Sequence, residues 1–203
     1  CQLPFWCLTV YYTWKIYNSK KIELYDCILL GAAAAFGILS KYLFIYLLVA
    51  IDLLFAYLIF FKKSKKFDFK YLVSLEVFFV ILIPHIIWLF NNDFITIKYG
   101  FARAGLDEGQ IMNHLKYPLI FTLKQIGILI PFLILVWLLI KKIPKKLNLK
   151  DEKLLFLIFI NLVPIVLVFM TALITGSKIR TMWMTPFYLF FGTLFIYLLK
   201  DQI

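Results

Sequence analysis

Residues 22–61 read IELYDCILLGAAAAFGILSKYLFIYLLVAIDLLFAYLIFF, a forty-residue apolar run with few charges. One membrane-crossing helix needs about 20 apolar residues, so this run makes two crossings. The place to divide it is Ser40–Lys41, because a lysine at a bilayer centre costs roughly 3 kcal/mol or more. That gives helices over 22–40 and 42–61. The first carries GAAAAFG (Gly31–Gly37), and small residues at that density let helices approach closely.

Further apolar segments extend the pattern to either side, at 1–17, 70–90, 118–140, 154–175 and 183–199. The expected fold is therefore all-α: a polytopic transmembrane bundle of about seven crossings, forming a single membrane domain over residues 1–203. Composition agrees. The chain is 64% hydrophobic and 19% aromatic, with a mean hydropathy of +0.91, whereas soluble domains are about half apolar. Cys1, Cys7 and Cys27 lie in apolar runs and read as small apolar residues, not a disulfide frame. The sequence begins inside an apolar run, with no Met and no charged leader. This is expected to be the later part of a longer membrane protein.

The formal net charge is +11, and its distribution fixes an orientation. Loops on one side hold 14 of the 22 basic residues, mostly in the clusters at 20–21, 62–70 and 141–153. The other side holds Lys41, Lys98, Arg103, Lys116, Lys178 and Arg180. Lys15 and Lys124 fall near helix ends, where a long side chain snorkels to the interface. Positive loops face the cytoplasm, so the chain starts outside and ends inside. The basic residues form no face beyond these loops, which excludes nucleic acid as a partner. Only two of the 22 cations are arginine, and both are outside. Arginine grips phosphate or carboxylate with a planar fork, so the pair points to an anion site on that face.

Pro84–Tyr117 is the longest stretch that is not plainly hydrophobic, and residues 91–117 of it form an outer loop. Pro84 is expected to end or kink the preceding helix, placing His85 and Trp88 at the interface. Asn91-Asn92-Asp93 reads as a turn or cap. Phe94, Ile97 and Phe101 at helical spacing suggest a short interfacial helix, with Lys98 and Arg103 off the apolar stripe. Asp107-Glu108 between two glycines is a solvated turn. His85, His114 and these acids match no zinc spacing; no metal is assigned, and a divalent cation is left open as cofactor. Lys41, Arg103, Lys178 and Arg180 together suit a phosphate attached to a lipid. His85, Trp88, Asn92, Asp93 and Trp183 are candidate substrate contacts. Asp52 falls near mid-membrane, where an ionisable residue is a functional candidate by default. Asp26 and Glu76 lie close to helix ends and call for no special role.

Three motifs in order carry a resemblance: GxLSKY (Gly37–Tyr42), PHxxWxxxNDF (Pro84–Phe94), and WxxPxY (Trp183–Tyr188) after a short basic loop. The chain resembles bacterial membrane glycosyltransferases similar to dolichyl-phosphate-mannose–protein mannosyltransferases and the lipid A aminoarabinose transferase. The resemblance implies a GT-C bundle in the bacterial inner membrane with its active face periplasmic. It implies inverting sugar transfer from a polyprenyl-phosphate carrier to a lipid, polysaccharide or protein acceptor in the cell envelope. Lys41 and the Lys178–Arg180 loop map onto the family's carrier-phosphate cations, and Arg103 joins them by topology. The family's catalytic acid lies in its first outer loop, and nothing here matches it; the acid is expected upstream of Cys1. Pro84-His85 stands where the family often has Pro-Trp.

Two other classes fit the sequence less well. A transporter would use Asp52, but the chain shows no internal repeat. A non-catalytic membrane scaffold would not depend on the outer cations. The orientation has a direct test: in intact cells, a membrane-impermeant thiol reagent should label Lys98→Cys, and Ser64→Cys only after permeabilisation. The reverse pattern would overturn it.

Overall fold

The computed structural model describes residues 2–105, 111–139 and 151–200. Asp107-Glu108 and most of the basic segment at 141–150 lie outside the described residues. The elements among those described are all helical, with no strand among them. The helices are α1 (Leu3–Asn18), α2 (Leu24–Ser40), α3 (Ile45–Ala56), α4 (Lys70–Asn91), α5 (Ile95–Arg103), α6 (Asn113–Leu139), α7 (Glu152–Thr175) and α8 (Phe191–Leu199). A 3₁₀ turn, Tyr42–Phe44, leads into α3 and a π turn, Tyr57–Phe61, follows it. Four helical stretches are long and apolar enough to cross a bilayer: Tyr42–Phe61, Lys70–Asn91, Asn113–Leu139 and Glu152–Thr175. Leu24–Ser40 and Thr185–Leu199 are shorter apolar stretches.

Large apolar side chains lie on the outside. Phe61 is 80% exposed, Trp137 72% and Leu123 69%. Soluble proteins do not show such surfaces, whereas lipid solvates them. The chain is accordingly an all-α polytopic membrane bundle. Its contacts divide into two compact units, Cys1–Ile97 and Lys98–Ile203.

In the first unit α2 packs against both α1 and α4. The small residues of α2 make this possible. A Cβ on Gly31 would run into the Ser74 carbonyl of α4 and lie 3.0 Å from Val77 Cβ, so the two backbones touch. Trp6 of α1 is 1% exposed and meets Phe44 edge-on at 5.5 Å. One polar link was not anticipated. Asp26 is 1% exposed and bonds Lys15 Nζ at 2.7 Å. Sequence position alone suggested a snorkelling lysine and an unremarkable aspartate; packing α1 on α2 instead buries the carboxylate and draws the ammonium to it. Asp52 lies on the exposed surface of α3, not inside the unit.

The helix expected over 70–90 is α4, and it runs through Pro84 to Asn91, so the proline does not end it. A proline in a helix removes one backbone hydrogen bond, and lipid-embedded helices tolerate this when neighbours make up the loss. One boundary differs from expectation: α6 starts at Asn113 and takes in HLKYP, read above as loop, with Pro118 inside it. At 27 residues it is about 40 Å long, some 10 Å more than a hydrocarbon core.

In the second unit α7 packs on α6 and α8. Asp151 caps α7, accepting from the Lys153 backbone N–H at 3.0 Å and from the Tyr197 hydroxyl of α8 at 2.5 Å. These bonds to the ionised form, the Tyr197 bond foremost, hold its carboxyl below the usual carboxylate range. The Tyr188 hydroxyl donates to Gln125 Oε1 of α6.

Removing one partner of a buried ion pair strands the other, while replacing both with apolar residues can be neutral. Lys15→Met should therefore lower the thermal midpoint in detergent by several degrees, and adding Asp26→Leu should restore much of it. A double variant worse than the single would show that the pair is not what matters.

Candidate anion site

The first unit builds a cluster around the break at Lys41. The Lys41 backbone is extended (φ −169°, ψ 126°), and its N–H reaches the Gly37 carbonyl at 3.1 Å. The Ser40 hydroxyl donates to the same carbonyl at 2.8 Å. The turn Tyr42–Phe44 then carries Phe44, fully buried, back onto Gly37, where an added Cβ would lie 2.5 Å from the ring. Tyr42 is thereby aimed at α4: its hydroxyl lies 2.8 Å from His85 Nε2 and 2.8 Å from Thr96 Oγ1. His85 stacks on Trp88 at 5.8 Å and 13°. Residues from GxLSKY and PHxxW thus meet through side chains. Lys41 is half-buried, and that burial pulls its ammonium below the ordinary lysine value.

Asn92 and Asp93 shape the exit from α4. The Asn92 side-chain amide donates to the Trp88 carbonyl at 2.8 Å, satisfying a helix-end acceptor. Asp93 and Phe94 have φ of 49° and 55°. Asp tolerates this region better than Phe does; Phe94, expected on the helical stripe, precedes α5 instead and makes the turn.

The second unit gathers cations. Helix α7 ends at Gly176, whose φ of 65° is left-handed and whose N–H caps the Ala172 carbonyl at 2.9 Å. Glycine adopts this conformation without a Cβ penalty. Space demands it as well, since a Cβ there would stand 3.2 Å from the His114 ring. His114 Nδ1–H donates to the Leu173 carbonyl at 3.0 Å, which makes it a helix-end anchor. Two residues past the glycine, the Lys178 N–H donates to the Ala104 carbonyl at 2.7 Å. That bond sets the loop against the end of α5, next to Arg103. The Arg103 guanidinium lies over the Tyr99 ring at 5.6 Å and donates to its hydroxyl at 2.8 Å.

Two adjoining cavities result. One, of about 430 Å³, is lined by Tyr99, Arg103, Tyr117, Lys178 and Arg180 among others. The second, of about 630 Å³, shares Tyr117, Lys178 and Arg180 and adds Lys116 and Lys124. Ile120, Phe121, Ile179 and Met182 give it apolar wall. Lys116, Ile120 and Lys124 are spaced four apart and so share one face of α6. Among the described residues, no acidic one lines either cavity. A cavity lined by both cations and apolar wall suits an anionic head on a hydrocarbon chain.

Of the residues singled out by sequence, Arg103, Lys178 and Arg180 come together here. Lys41, His85 and Trp88 belong to the first unit's cluster. Lys98 and Trp183 line neither cavity. Lys124, read as a snorkelling helix-end residue, lies eleven residues inside α6 and lines the larger cavity. Its i, i+4 spacing from Ile120 and Lys116 was visible in sequence, but only the Lys178–Met182 loop across from it makes that face a wall. Among the described residues no three His, Cys, Asp or Glu side chains gather to hold a metal ion.

Residues 1–88 match a family model described as dolichyl-phosphate-mannose-protein mannosyltransferase. The matched stretch is less than half of the 203 residues. It includes Lys41, His85 and Trp88 and stops before Arg103, Lys178 and Arg180. Neither the curated proteins nor the solved structures include a match to the chain. The family match supports a membrane glycosyltransferase of the mannosyltransferase type.

Replacing a left-handed glycine with alanine costs roughly 1 kcal/mol from the backbone alone. Gly176→Ala should therefore destabilise the protein by at least about that much, and crowding at His114 adds to it. The same change at Gly192, with open space around its Cβ position, should be nearly silent. Equal thermal shifts for the two would contradict this account of the loop.

Proposed function

We propose that the protein is a membrane glycosyltransferase that moves a sugar from a polyprenyl-phosphate carrier to an acceptor on the outer face of the membrane. The observation that carries this reading is the meeting of Arg103, Lys178 and Arg180 at a cavity with no acidic lining among the described residues. The family match over 1–88 supports the same class from the other unit.

The chemistry assigned to these residues is leaving-group stabilisation. An acceptor hydroxyl attacks the anomeric carbon, with inversion, and the carbon–oxygen bond to the carrier phosphate breaks. Negative charge builds on the departing phosphate. Cations fixed beforehand around that phosphate lower the barrier, because they need no reorganisation as the charge develops. Arg180 offers a two-pronged grip on phosphate oxygens, while Lys178 adds a mobile point charge. Arg103, held by Tyr99, closes the other side. In the first unit, Lys41 is assigned a phosphate contact by the resemblance, and an anion beside it would favour the charged form that burial disfavours. The carboxylate that takes the acceptor's proton is not among these residues. Tyr42, His85 and Trp88 form a polar and aromatic surface suited to a sugar, and Tyr42 also fixes the backbone beside Lys41. The acceptor is a lipid, a polysaccharide or a protein, and the site belongs on the periplasmic side of a bacterial inner membrane.

Transfer of labelled mannose from polyprenyl-phosphate-mannose by the full-length protein in liposomes is the test. Arg180→Ala or Lys41→Ala should cut the rate by about a hundredfold, the scale of losing one preorganised charge-stabilising donor, with membrane insertion unchanged. Wild-type rates in both variants would overturn the assignment.

A further inference from the structure

The larger cavity holds more positive charge than one carrier phosphate can neutralise. Lys116, Lys124, Lys178 and Arg180 line it, and Arg103 stands in the adjoining one beside the same Lys178 and Arg180. A sugar joined to a lipid through one phosphate is a diester with a single negative charge. Even after departure, a phosphate monoester carries only about −1.5 to −2 at neutral pH. Among the described residues none lining either cavity is acidic, so the described walls give the remaining cations no counter-charge. Lys116 and Lys124 also stand two helical turns apart on α6, about 12 Å along its axis. A phosphate seated on Lys178 and Arg180 therefore leaves cations free on the α6 side. The division into two lobes sharing Tyr117, Lys178 and Arg180 gives two seats with a common cationic centre.

We infer that this site holds two phosphate groups at once, the carrier's phosphate and a second one engaged by Lys116 and Lys124. The inference rests on the lipid-phosphate reading above and extends it. The second phosphate has two sources, a diphosphate on the same lipid or a phosphomonoester on a second lipid lying along the wall of Ile120, Phe121 and Met182. Either makes α6 the element that selects what is bound beside the carrier, a role its sequence shows only as two exposed lysines.

Binding distinguishes these cases without requiring turnover. The chain in phosphatidylcholine nanodiscs is titrated with farnesyl phosphate, with farnesyl diphosphate, and with phosphatidic acid in the presence of saturating farnesyl phosphate. A single-lipid source predicts one farnesyl diphosphate per chain, bound about tenfold or more tighter than the monophosphate. A two-lipid source predicts phosphatidic acid binding alongside farnesyl phosphate without displacing it. In either case Lys116→Ala/Lys124→Ala abolishes the second-phosphate effect and weakens farnesyl phosphate by less than about threefold. Both lysines are exposed, so the variant folds, which its thermal midpoint checks. Equal affinities together with displacement by phosphatidic acid would overturn this inference alone, as would a second-phosphate effect that survives in the double variant. No binding of farnesyl phosphate at all would overturn the lipid-phosphate reading and this inference with it.

Discussion

The candidate site of the second unit depends on one backbone hydrogen bond, from the Lys178 N–H to the Ala104 carbonyl. Without it, Arg103 at the end of α5 and Lys178 with Arg180 in the following loop would be three flexible, mutually repelling side chains on separate segments. Like charges do not collect by themselves; something else must hold their backbones together. Here the bond does so from one side and Gly176 from the other. The glycine turns the chain sharply off α7, and His114 fastens α7's last turn to the start of α6. The cations are thus placed by neutral groups, at a spot where a bound anion would relieve their repulsion.

The first unit solves a related problem with other means. A helix break inside an apolar run exposes backbone groups that lipid cannot satisfy. Gly37 deals with this twice: its carbonyl accepts from Lys41 N–H and from the Ser40 hydroxyl, and its missing side chain makes room for Phe44. Trp6 closes over that ring. The result is a lysine presented from a rigid corner. Tyr42, joined to His85 and Thr96, carries that rigidity across to α4 and the start of α5.

Much of the fold was legible because lipid imposes a simple rule, that a long apolar run must be a helix. The break at Ser40–Lys41 followed from the cost of burying one charge. Arg103, Lys178 and Arg180 stood out because arginine is rare in this chain and outer cations oppose the positive-inside rule. What sequence hid were properties of pairs. Lys15 and Lys124 both read as snorkelling lysines, since one-dimensional position cannot show Asp26 buried across a helix interface or a loop facing α6. Pro118, read as the start of its helix, misled for a related reason. A proline's local penalty is fixed, but whether neighbours absorb it is set by packing. His114, weighed with His85 for a metal site and assigned none, donates to a carbonyl, a contact decided only by where α7 ends.

The contact at Gly31 has a mechanical side. Where α2 meets the Ser74 carbonyl of α4, backbone lies on backbone with no side chain between to act as a compliant layer. Interlocked side chains can hop between rotamers and let helices slip past one another; two bare backbones cannot. The close contact at Gly31 therefore couples α2 to α4 as one stiff piece, which carries Lys41 at the end of one helix and His85 on the other.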